Sequence, residues 1–349
     1  LRTLRQRGYF STTRPAPDLL SQLDLVALAT VCDVVPLVGL NRAFVRQGLK
    51  VMAQRQHHGL VKLADIAGVN EAPNAYALGF LLGPRINAAG RLGASGLGVK
   101  LLAAEDPDTA AGLALQLDDM NKERRRIEES VRNVALDRAA QTNHHVIILA
   151  DRDWHEGVIG IVAGRVRERF GKPAMIISMG ADGVGKGSAR GIAGFRLGNA
   201  VIAAHQAGII EGGGGHDMAA GFSVLESQIE NLQAFMNDRF MTEFNGVMPQ
   251  VTHTVGAVLS VAGCQPLIAD WLDKLGPFGS GNAEPRFVIP DCRIKSARRV
   301  GADGAHLSCR LDDGSGTLNA IAFQAGGTAV GQALEAAVDG RYLHILGRV

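Results

Sequence analysis

Alternating steps of four and three residues between apolar positions predict a helix near the start of the chain. The stripe ends at Asp33, and Pro36 is expected to stop the helix. Asp33 is therefore predicted on an otherwise buried face, where a carboxylate needs a partner. A metal ligand or a base is one interpretation, and an aspartate at a frayed helix end is the other. The stripe comprises Leu19, Leu23, Val26, Thr30 and Asp33.

The segment 78–93, LGFLLGPRINAAGRLG, begins with helical spacing and is predicted to break at its internal Gly-Pro pair. Arg85, Asn87 and Arg91 would then lie in a loop of small residues that leaves room for a ligand. Two arginines in such a loop are typical of phosphate or carboxylate binding. Solvated surface arginines are the alternative.

A single long helix is predicted from Asp108 to about Gln141, preceded by Pro107. Apolar residues follow a three-four spacing along it, interrupted by Arg124. The segment NKERRR, 121–126, is the strongest positive run of the chain, and most such runs are solvated helix faces. Arg124 is the exception because it occupies the apolar stripe. A helix of this length can connect two lobes.

A strand–helix–strand pattern follows, with strands predicted at 146–150 and 174–178 and a helix between them. The segment DRDWHEG, which contains His155, ends the first strand and leads into the helix N-terminus, a position that favours anions. Beyond the second strand lie GKGSARG, a helix predicted near 197–206, and four consecutive glycines before His216. Apolar neighbours on both sides make this glycine run unlike a linker.

After about Met248 the pattern changes to short strand-like runs, with the turn signal DDGSG between two of them. These runs predict a small β-barrel, for which an OB-fold is the best interpretation. Such barrels often bind single strands. The runs are RFVI, HLSCRL, TLNAIAF and YLHIL.

Composition changes this picture little. The 349 residues allow two or three domains, and 44 glycines with 5% aromatic residues suit an α/β protein with many tight turns. A net charge of +2 neither requires nor excludes nucleic acid, so any polyanion site would be local. The cysteines are scattered without C-x-x-C spacing, which argues against zinc and for a reducing cytoplasm. No apolar run reaches about 18 residues, so neither a transmembrane helix nor a signal peptide is expected.

Six segments occur in an order that resembles the RecJ family, bacterial single-stranded-DNA-specific 5′→3′ exonucleases of the DHH phosphoesterase superfamily. The segments are LDLVALATVCDVVPL, LGPRINAAGRLG, WHEGVIGIVAGRVRERFGKP, KGSARGI, GGGGHDMAAGFS and GPFGSGNAEPRF. The resemblance implies an α/β fold with four parts. They are the end of a DHH catalytic domain at 1–105, a connecting helix at 106–142, a DHH-associated phosphate-gripping domain at 143–247, and an OB-like single-strand-binding domain at 248–349 that is expected to be truncated.

The resemblance places Asp33 in the last metal-binding motif of the catalytic domain, where the whole enzyme would use two Mn²⁺ or Mg²⁺ ions. The Asp-His-His triplet that names the superfamily does not occur in this sequence. The QHH ending at His58 and the NHH ending at His145 are interpreted as surface histidines. The chain, which has no initiator Met and closes on a predicted strand, is therefore expected to be an inactive fragment. With one metal ligand it is not expected to bind both ions fully.

Other matched residues are expected to contact the DNA or its phosphates, because the resemblance aligns them with substrate-binding motifs. His155 is added because it leads into a predicted helix N-terminus, and Lys186 is added because it lies in the same segment, GKGSARG, as Ser188 and Arg190. Consecutive glycines also let backbone N–H groups approach a phosphate closely. The full set is Arg85, Asn87, Arg91, Asn121, Arg124, His155, Lys186, Ser188, Arg190, Gly214, Gly215 and His216.

The function expected from the resemblance is metal-dependent hydrolysis of single-stranded DNA from its 5′ end, in recombination and repair. A cytoplasmic monomer without a membrane association is expected, and a single-stranded-DNA-binding protein and a helicase are candidate partners. Two alternatives stay open. One is an oligoribonuclease or cyclic-dinucleotide phosphodiesterase of the same superfamily, and the other is a non-catalytic single-strand-binding module.

Overall fold

The computed structural model describes residues 1–245, 247, 249–250 and 252–349. The chain has the mixed α/β fold that the sequence predicts. It divides into two compact units, the first formed by 1–54, 73–78 and 252–349 and the second by 55–72 and 79–251. The domain boundaries given above stay predictions, and residue 248 at one of them lies outside the described residues. None of the helices in the described part of the chain combines the length and the apolar character that crossing a bilayer requires.

The chain is helical up to residue 140, and strands and helices are interspersed after it. The helices are α1 (Arg2–Gln6), α2 (Leu23–Cys32), α3 (Gly39–Met52), α4 (His58–Ile66), α5 (Gly83–Arg91), α6 (Gly96–Leu102), α7 (Pro107–Ala140), α8 (Glu156–Phe170), α9 (Leu197–Gln206), α10 (Ile229–Phe244), α11 (Pro266–Leu275) and α12 (Ala329–Ala336). The strands are β1 (Ile147–Asp151), β2 (Ala174–Met179), β3 (Val184–Arg190), β4 (Gly212–His216), β5 (Ala219–Leu225), β6 (Ala257–Val258), β7 (Phe287–Val300), β8 (His306–Asp312), β9 (Thr317–Ala322) and β10 (Tyr342–Gly347).

In the first unit, helix α2 packs on α3 through a close approach of small residues. A Cβ at Gly48 would lie 2.1 Å from the carbonyl oxygen of Leu23, and Ala27 is fully buried. The buried face therefore differs from the predicted stripe, since Val26 is 39% exposed. Asp33 follows the last helical residue and is exposed, so its predicted position on a buried face is wrong.

The first unit also contains a sheet with the strand order β10-β7-β8-β9, to which β6 adds in parallel on β7. All four predicted strand runs lie in this sheet, and DDGSG is the turn between β8 and β9. The Asp312 carboxylate accepts a hydrogen bond from the Gly314 N–H (2.7 Å), and Gly314 has a φ of 88°. The apolar faces of the strands enclose a core that includes Ile294, Leu307 and Leu311. This arrangement confirms the OB-like prediction.

The second unit is built on a sheet with the strand order β1-β2-β3-β5-β4. Strands β1 and β2 are parallel and joined by α8, as predicted, and the other neighbours are antiparallel. The glycine run is the edge strand β4. Helix α9 lies close to it, because a Cβ at Gly213 would come within 2.8 Å of Val201 and 2.9 Å of Phe222. One reason for glycine here is thus the packing of a helix on a strand.

The PRINAAGR segment is helical rather than a loop. A π-helical turn at Ala77–Leu82 runs directly into helix α5, which begins at Gly83 with Pro84 in its first turn, so the predicted break is wrong. Pro84 lies where the hydrogen-bonding pattern changes from π-helical to α-helical, and the fixed φ of proline is compatible with a helical backbone. Arg85, Asn87 and Arg91 consequently project from a helix.

The predicted long helix is confirmed as α7, whose N-cap Asp106 accepts a hydrogen bond from the Thr109 N–H (2.7 Å). Its buried face is narrower than predicted, since Val134 is exposed. Small alanines along that face let α4, α5, α6 and α8 pack closely against it. Arg124 is buried on this face, as the spacing predicts.

Each of the two histidine pairs has one exposed and one half-buried member. His58 and His144 are exposed, as expected, but His57 is half-buried, and its buried Nδ1 has no hydrogen-bond partner in the described part of the chain. His145 is half-buried too. Its ring stacks on Phe240, with 5.2 Å between ring centroids and 5° between the planes. The interpretation of His57 and His145 as surface residues is therefore wrong.

Candidate phosphate-binding site

Strand β3 presents Lys186, Ser188 and Arg190 on one face of the second unit's sheet, because alternate residues of a strand share a face. The Arg190 Nη1 donates to the Ser188 hydroxyl (3.1 Å) and to the Ala189 carbonyl (2.8 Å). These contacts hold the guanidinium beside the hydroxyl. No carboxylate forms an ion pair with Arg190 in the part of the chain that the structure describes.

The register of the sheet brings His216 to the same face as Arg190. Both residues are aligned with Ala219 of the intervening strand β5, and aligned residues of neighbouring strands share a face. Two strand spacings put about 10 Å between their Cα atoms. The His216 imidazole is exposed.

The two positions of the sheet between these side chains are glycines, which leave the space above them open. Gly221 and Gly214 are aligned with Ser188 across β5 and β4, and we call this pair the glycine floor. A Cβ at Gly214 would meet nothing within 4 Å, and one at Gly221 would first meet the Gly187 carbonyl at 4.0 Å. Gly215 faces the other way, where a Cβ would lie 2.3 Å from the Ala219 carbonyl. The glycine floor is therefore open, whereas Gly215 serves packing.

Helix α8 begins beside this face. Its N-cap His155 accepts a hydrogen bond at Nδ1 from the Gly157 N–H (3.0 Å), so the neutral ring carries its proton on the exposed Nε2. The end of α5 lies on the same turn, because the Arg91 Nη1 donates to the Gly157 carbonyl (2.9 Å). Asn87 is exposed one turn earlier on α5. A helix N-terminus and a guanidinium together favour an anion.

The positive charges act on one another electrostatically. Burial lowers the pKa of the Arg190 guanidinium, and the positive charges of Arg91 and Arg167 lower it further. Both arginines of the pair Arg91 and Arg190 stay charged, because an arginine side chain does not deprotonate in proteins. Positive charge that no described carboxylate neutralises is the electrostatic signature of an anion site.

Other predicted cations are neutralised by carboxylates. The Arg85 Nε and the Lys122 Nζ lie 2.8 Å and 2.9 Å from the Asp118 carboxylate oxygens, and the Arg85 and Asp118 side chains are 11% and 9% exposed. The exposed Lys186 pairs with Glu156 at 2.7 Å. Arg85 therefore serves a buried ion pair in addition to any role at the substrate.

Arg124 is also held inside the protein. Its Nη1 lies 2.6 Å from Glu128, and its Nε and Nη2 donate to the Asn121 side-chain oxygen at 3.3 Å and 3.0 Å. Burial lowers the pKa of the Arg124 guanidinium, while Glu128 opposes that shift and Arg125 and Arg91 add to it. Asn121 and Arg124 thus form a buried network on α7.

Sequence reasoning missed the carboxylates that neutralise these cations. Asp118 could have been found, because it lies one helical turn before Asn121 on the buried face of α7. Glu156 gave no comparable signal, because its partner is thirty positions away and meets it only in the folded sheet.

Asp33 lies in the first unit, at the end of α2. The segment after it is held by residues 279–281, since the Leu37 N–H donates to the Ser280 carbonyl (2.6 Å). A Cβ at Gly281 would lie 2.9 Å from Pro36. Among the described residues, no group of three or more histidine, cysteine, aspartate or glutamate side chains is placed to hold a metal ion. The donors present therefore do not fit a two-metal centre.

Comparison with known proteins agrees with this architecture. Residues 143–242 match the DHHA1 domain, and residues 255–348 match the RecJ OB domain. The chain is 34% identical to the single-stranded-DNA-specific exonuclease RecJ of Haemophilus influenzae, over 91% of this chain and 57% of that protein. For the protein of the same name from Escherichia coli the identity is 34%, over 93% of this chain and 58% of that protein. The chain thus spans little more than half the length of these relatives.

Two solved structures of RecJ proteins also superpose on this chain. The crystal structure of Thermus thermophilus RecJ in complex with Mn²⁺ superposes with a TM-score of 0.78 and 32% identity, over 90% of this chain and 45% of that chain. A structure of exonuclease RecJ bound to manganese superposes with a TM-score of 0.55 and 33% identity, over 64% of this chain and 55% of that chain.

Proposed function

The chain is homologous to RecJ proteins over most of its length, and we propose that it is part of a metal-dependent, single-stranded-DNA-specific 5′→3′ exonuclease of DNA recombination and repair. The RecJ structures in complex with Mn²⁺ and Mg²⁺ support the use of divalent ions by such an enzyme. We also propose a cytoplasmic monomer that works beside a single-stranded-DNA-binding protein and a helicase. These last points rest on the resemblance alone.

The observation that carries the proposal is the cation pair beside the glycine floor. Arg91 and Arg190 have no described carboxylate partner, the Ser188 hydroxyl lies 3.1 Å from Arg190, and His216 shares the face of Arg190. A terminal phosphate has the charge and the acceptor oxygens that such donors bind. We assign this site to the 5′-terminal phosphate of the strand.

The role of this chain's own residues is to bind and orient the strand. Contacts to phosphate give affinity without sequence preference, which suits an exonuclease that must accept every sequence. The OB-like sheet of the first unit supplies a second surface for single strands. Asp33 would contribute one metal ligand, and no cluster of metal-ligating side chains accompanies it among the described residues.

The test is equilibrium binding of 5′-phosphorylated and 5′-hydroxyl single-stranded oligonucleotides to the 349-residue chain. We expect Arg91→Ala, Arg190→Ala and His216→Ala each to weaken binding of the phosphorylated strand by about tenfold or more, since one charge-assisted hydrogen bond contributes ~1.5–3 kcal/mol. Arg126→Ala is the matched control, because Arg126 is exposed and pairs with Glu123. Equal affinity of the wild type for both strands would contradict the assigned phosphate.

The same binding measurement is repeated at several salt concentrations and with duplex DNA and other nucleotide probes. The logarithm of the binding constant for single strands should fall with the logarithm of salt concentration by about 0.7 per phosphate contacted. Binding to duplex should be weaker. A short RNA probe and a cyclic dinucleotide probe separate the alternatives, since tighter binding of either would favour the related phosphodiesterases.

A further inference from the structure

We propose that Gly160 is a positioning residue of the phosphate site, because its missing side chain leaves the space in which the Arg190 guanidinium and the Ser188 hydroxyl lie. The inference rests on the proposed function of that site. It adds a residue from the second turn of helix α8 to the donors of strand β3. Gly160 itself would not touch the phosphate.

The space that a side chain at Gly160 would need is occupied by atoms of two side chains of strand β3. A Cβ built there would lie 2.9 Å from the Arg190 Nη2 and 2.9 Å from the Ser188 Oγ, closer than side-chain atoms normally approach. Both of these atoms are at the ends of side chains. An added methyl group would therefore displace the guanidinium and the hydroxyl rather than the helix.

A displacement of the Arg190 guanidinium would matter because two hydrogen bonds hold it in one orientation. Its Nη1 is fixed by the Ala189 carbonyl and the Ser188 hydroxyl, so Nη2 is the end of the guanidinium that faces Gly160. Ser188 is aligned with the glycine floor, so the two donors flank the place assigned to the phosphate. A movement of about 1 Å is enough to weaken an oriented hydrogen bond to an anion.

The same substitution should not harm the fold. Alanine is a better helix former than glycine in a helix interior, and Gly160 lies in the second turn of α8. The backbone around it makes no close contact with the added methyl group. Loss of binding and loss of stability are therefore separable at this half-buried glycine.

Helix α8 supplies its own controls. A Cβ at Gly164, one turn later, would meet nothing within 4 Å, so Gly164→Ala should change neither fold nor site. A Cβ at Gly157 would lie 2.2 Å from the Arg91 carbonyl oxygen, which is backbone, so Gly157→Ala should damage the packing of α5 on α8. The three glycines thus predict three different outcomes.

The experiment measures melting temperature and affinity for 5′-phosphorylated and 5′-hydroxyl oligonucleotides on the full 349-residue chain. For Gly160→Ala we expect about tenfold weaker binding of the phosphorylated strand, little change for the hydroxyl strand, and an unchanged or higher melting temperature. Gly164→Ala should bind like the wild type. Gly157→Ala should melt at a lower temperature.

A double-mutant cycle with Arg190→Ala separates positioning from general damage. In the Arg190→Ala background, Gly160→Ala should have little further effect, because the group it displaces is already absent. Unchanged phosphate affinity of Gly160→Ala overturns the inference, and so does a lowered melting temperature, because the helix would then be what gives way. If Arg190→Ala weakens binding and Gly160→Ala does not, only the inference fails. If neither does, the proposed site fails as well.

Discussion

At the scale of single residues, the partner of each cation decides what it can do. Arg91 and Arg190 have no described carboxylate partner, while Arg85 and Lys186 each pair with one. The difference is not visible in the local sequence, since all of them lie in segments rich in small residues. A substitution at Arg85 would therefore mix lost stability with lost binding, whereas one at Arg91 would break a single hydrogen bond to the Gly157 carbonyl and no described ion pair.

The buried pair of Arg85 and Asp118 leads to a prediction about stability. Asp118→Ala should lower the free energy of unfolding at neutral pH by about 3 kcal/mol, since it leaves a guanidinium buried without its partner. Urea unfolding measures this directly. Glu123→Ala is the control, because Glu123 forms an exposed pair with Arg126 and should matter little. A loss no larger than that of the control would contradict the buried pair.

The same pair predicts a pH dependence. Burial by itself would raise the pKa of the Asp118 carboxyl, but the hydrogen bonds from Lys122 and Arg85 outweigh it and lower the pKa from its ordinary 3.8. A lowered pKa means that the carboxylate stabilises the fold above pH 3.8, and this contribution is lost as pH falls through the lowered value. On acidification below pH 3.8, the free energy of unfolding should therefore fall less for the Asp118→Ala variant than for the wild type, because the variant has no carboxylate to protonate at this position.

At the scale of elements, the glycine run of strand β4 contacts the packed core on one face and leaves open space on the other. Alternate glycines of β4 face either the core under α9 or the open side beside Arg190. On the core side the bare backbone permits packing. On the open side it forms part of the glycine floor. One stretch of sequence thus has two physical reasons for the same residue type.

The alternation predicts opposite results for neighbouring substitutions. Gly213→Ala should cost about 1–3 kcal/mol of stability through overpacking against Val201 and Phe222. Gly214→Ala should leave the melting temperature unchanged and weaken binding of a 5′-phosphorylated strand, because its methyl group would lie on the glycine floor. Calorimetry and oligonucleotide binding on the two variants check this, and equal effects on both quantities would contradict the assignment of faces.

At the scale of the whole molecule, the described residues support binding more than cleavage. Asp33 is exposed, and no described cluster of metal-ligating side chains accompanies it. We expect the 349-residue chain incubated with Mn²⁺ to release no nucleotides from labelled single-stranded DNA. Degradation from the 5′ end by a purified preparation, abolished by Asp33→Ala, would disprove this expectation. Retained binding by the Asp33→Ala variant is the control for folding.

The sequence by itself determined the fold class, the long helix α7, the strands β1, β2 and β7 to β10, and the segments that resemble RecJ, but it gave no prediction for β3 to β6. These features depend on local periodicity, turn residues and motifs, which short stretches of chain specify. It misjudged α5, because a Gly-Pro pair usually signals a break, and only the structure shows the π-helical turn that continues across it into α5. Of its two interpretations of Asp33, the aspartate at a helix end agrees with the structure, because Asp33 follows the last residue of α2 and is exposed.

The tertiary structure alone decided which cations are neutralised and which are not. Arg85 meets Asp118, and Lys186 meets Glu156, across 33 and 30 positions of sequence. The alignment of Arg190 and His216 on Ala219, and the space that Gly160 leaves beside Arg190, depend on strand register and helix packing. Contacts between residues distant in sequence are set by the packing of the whole core. For that reason the sequence, through the resemblance, could propose members of the site but not their arrangement.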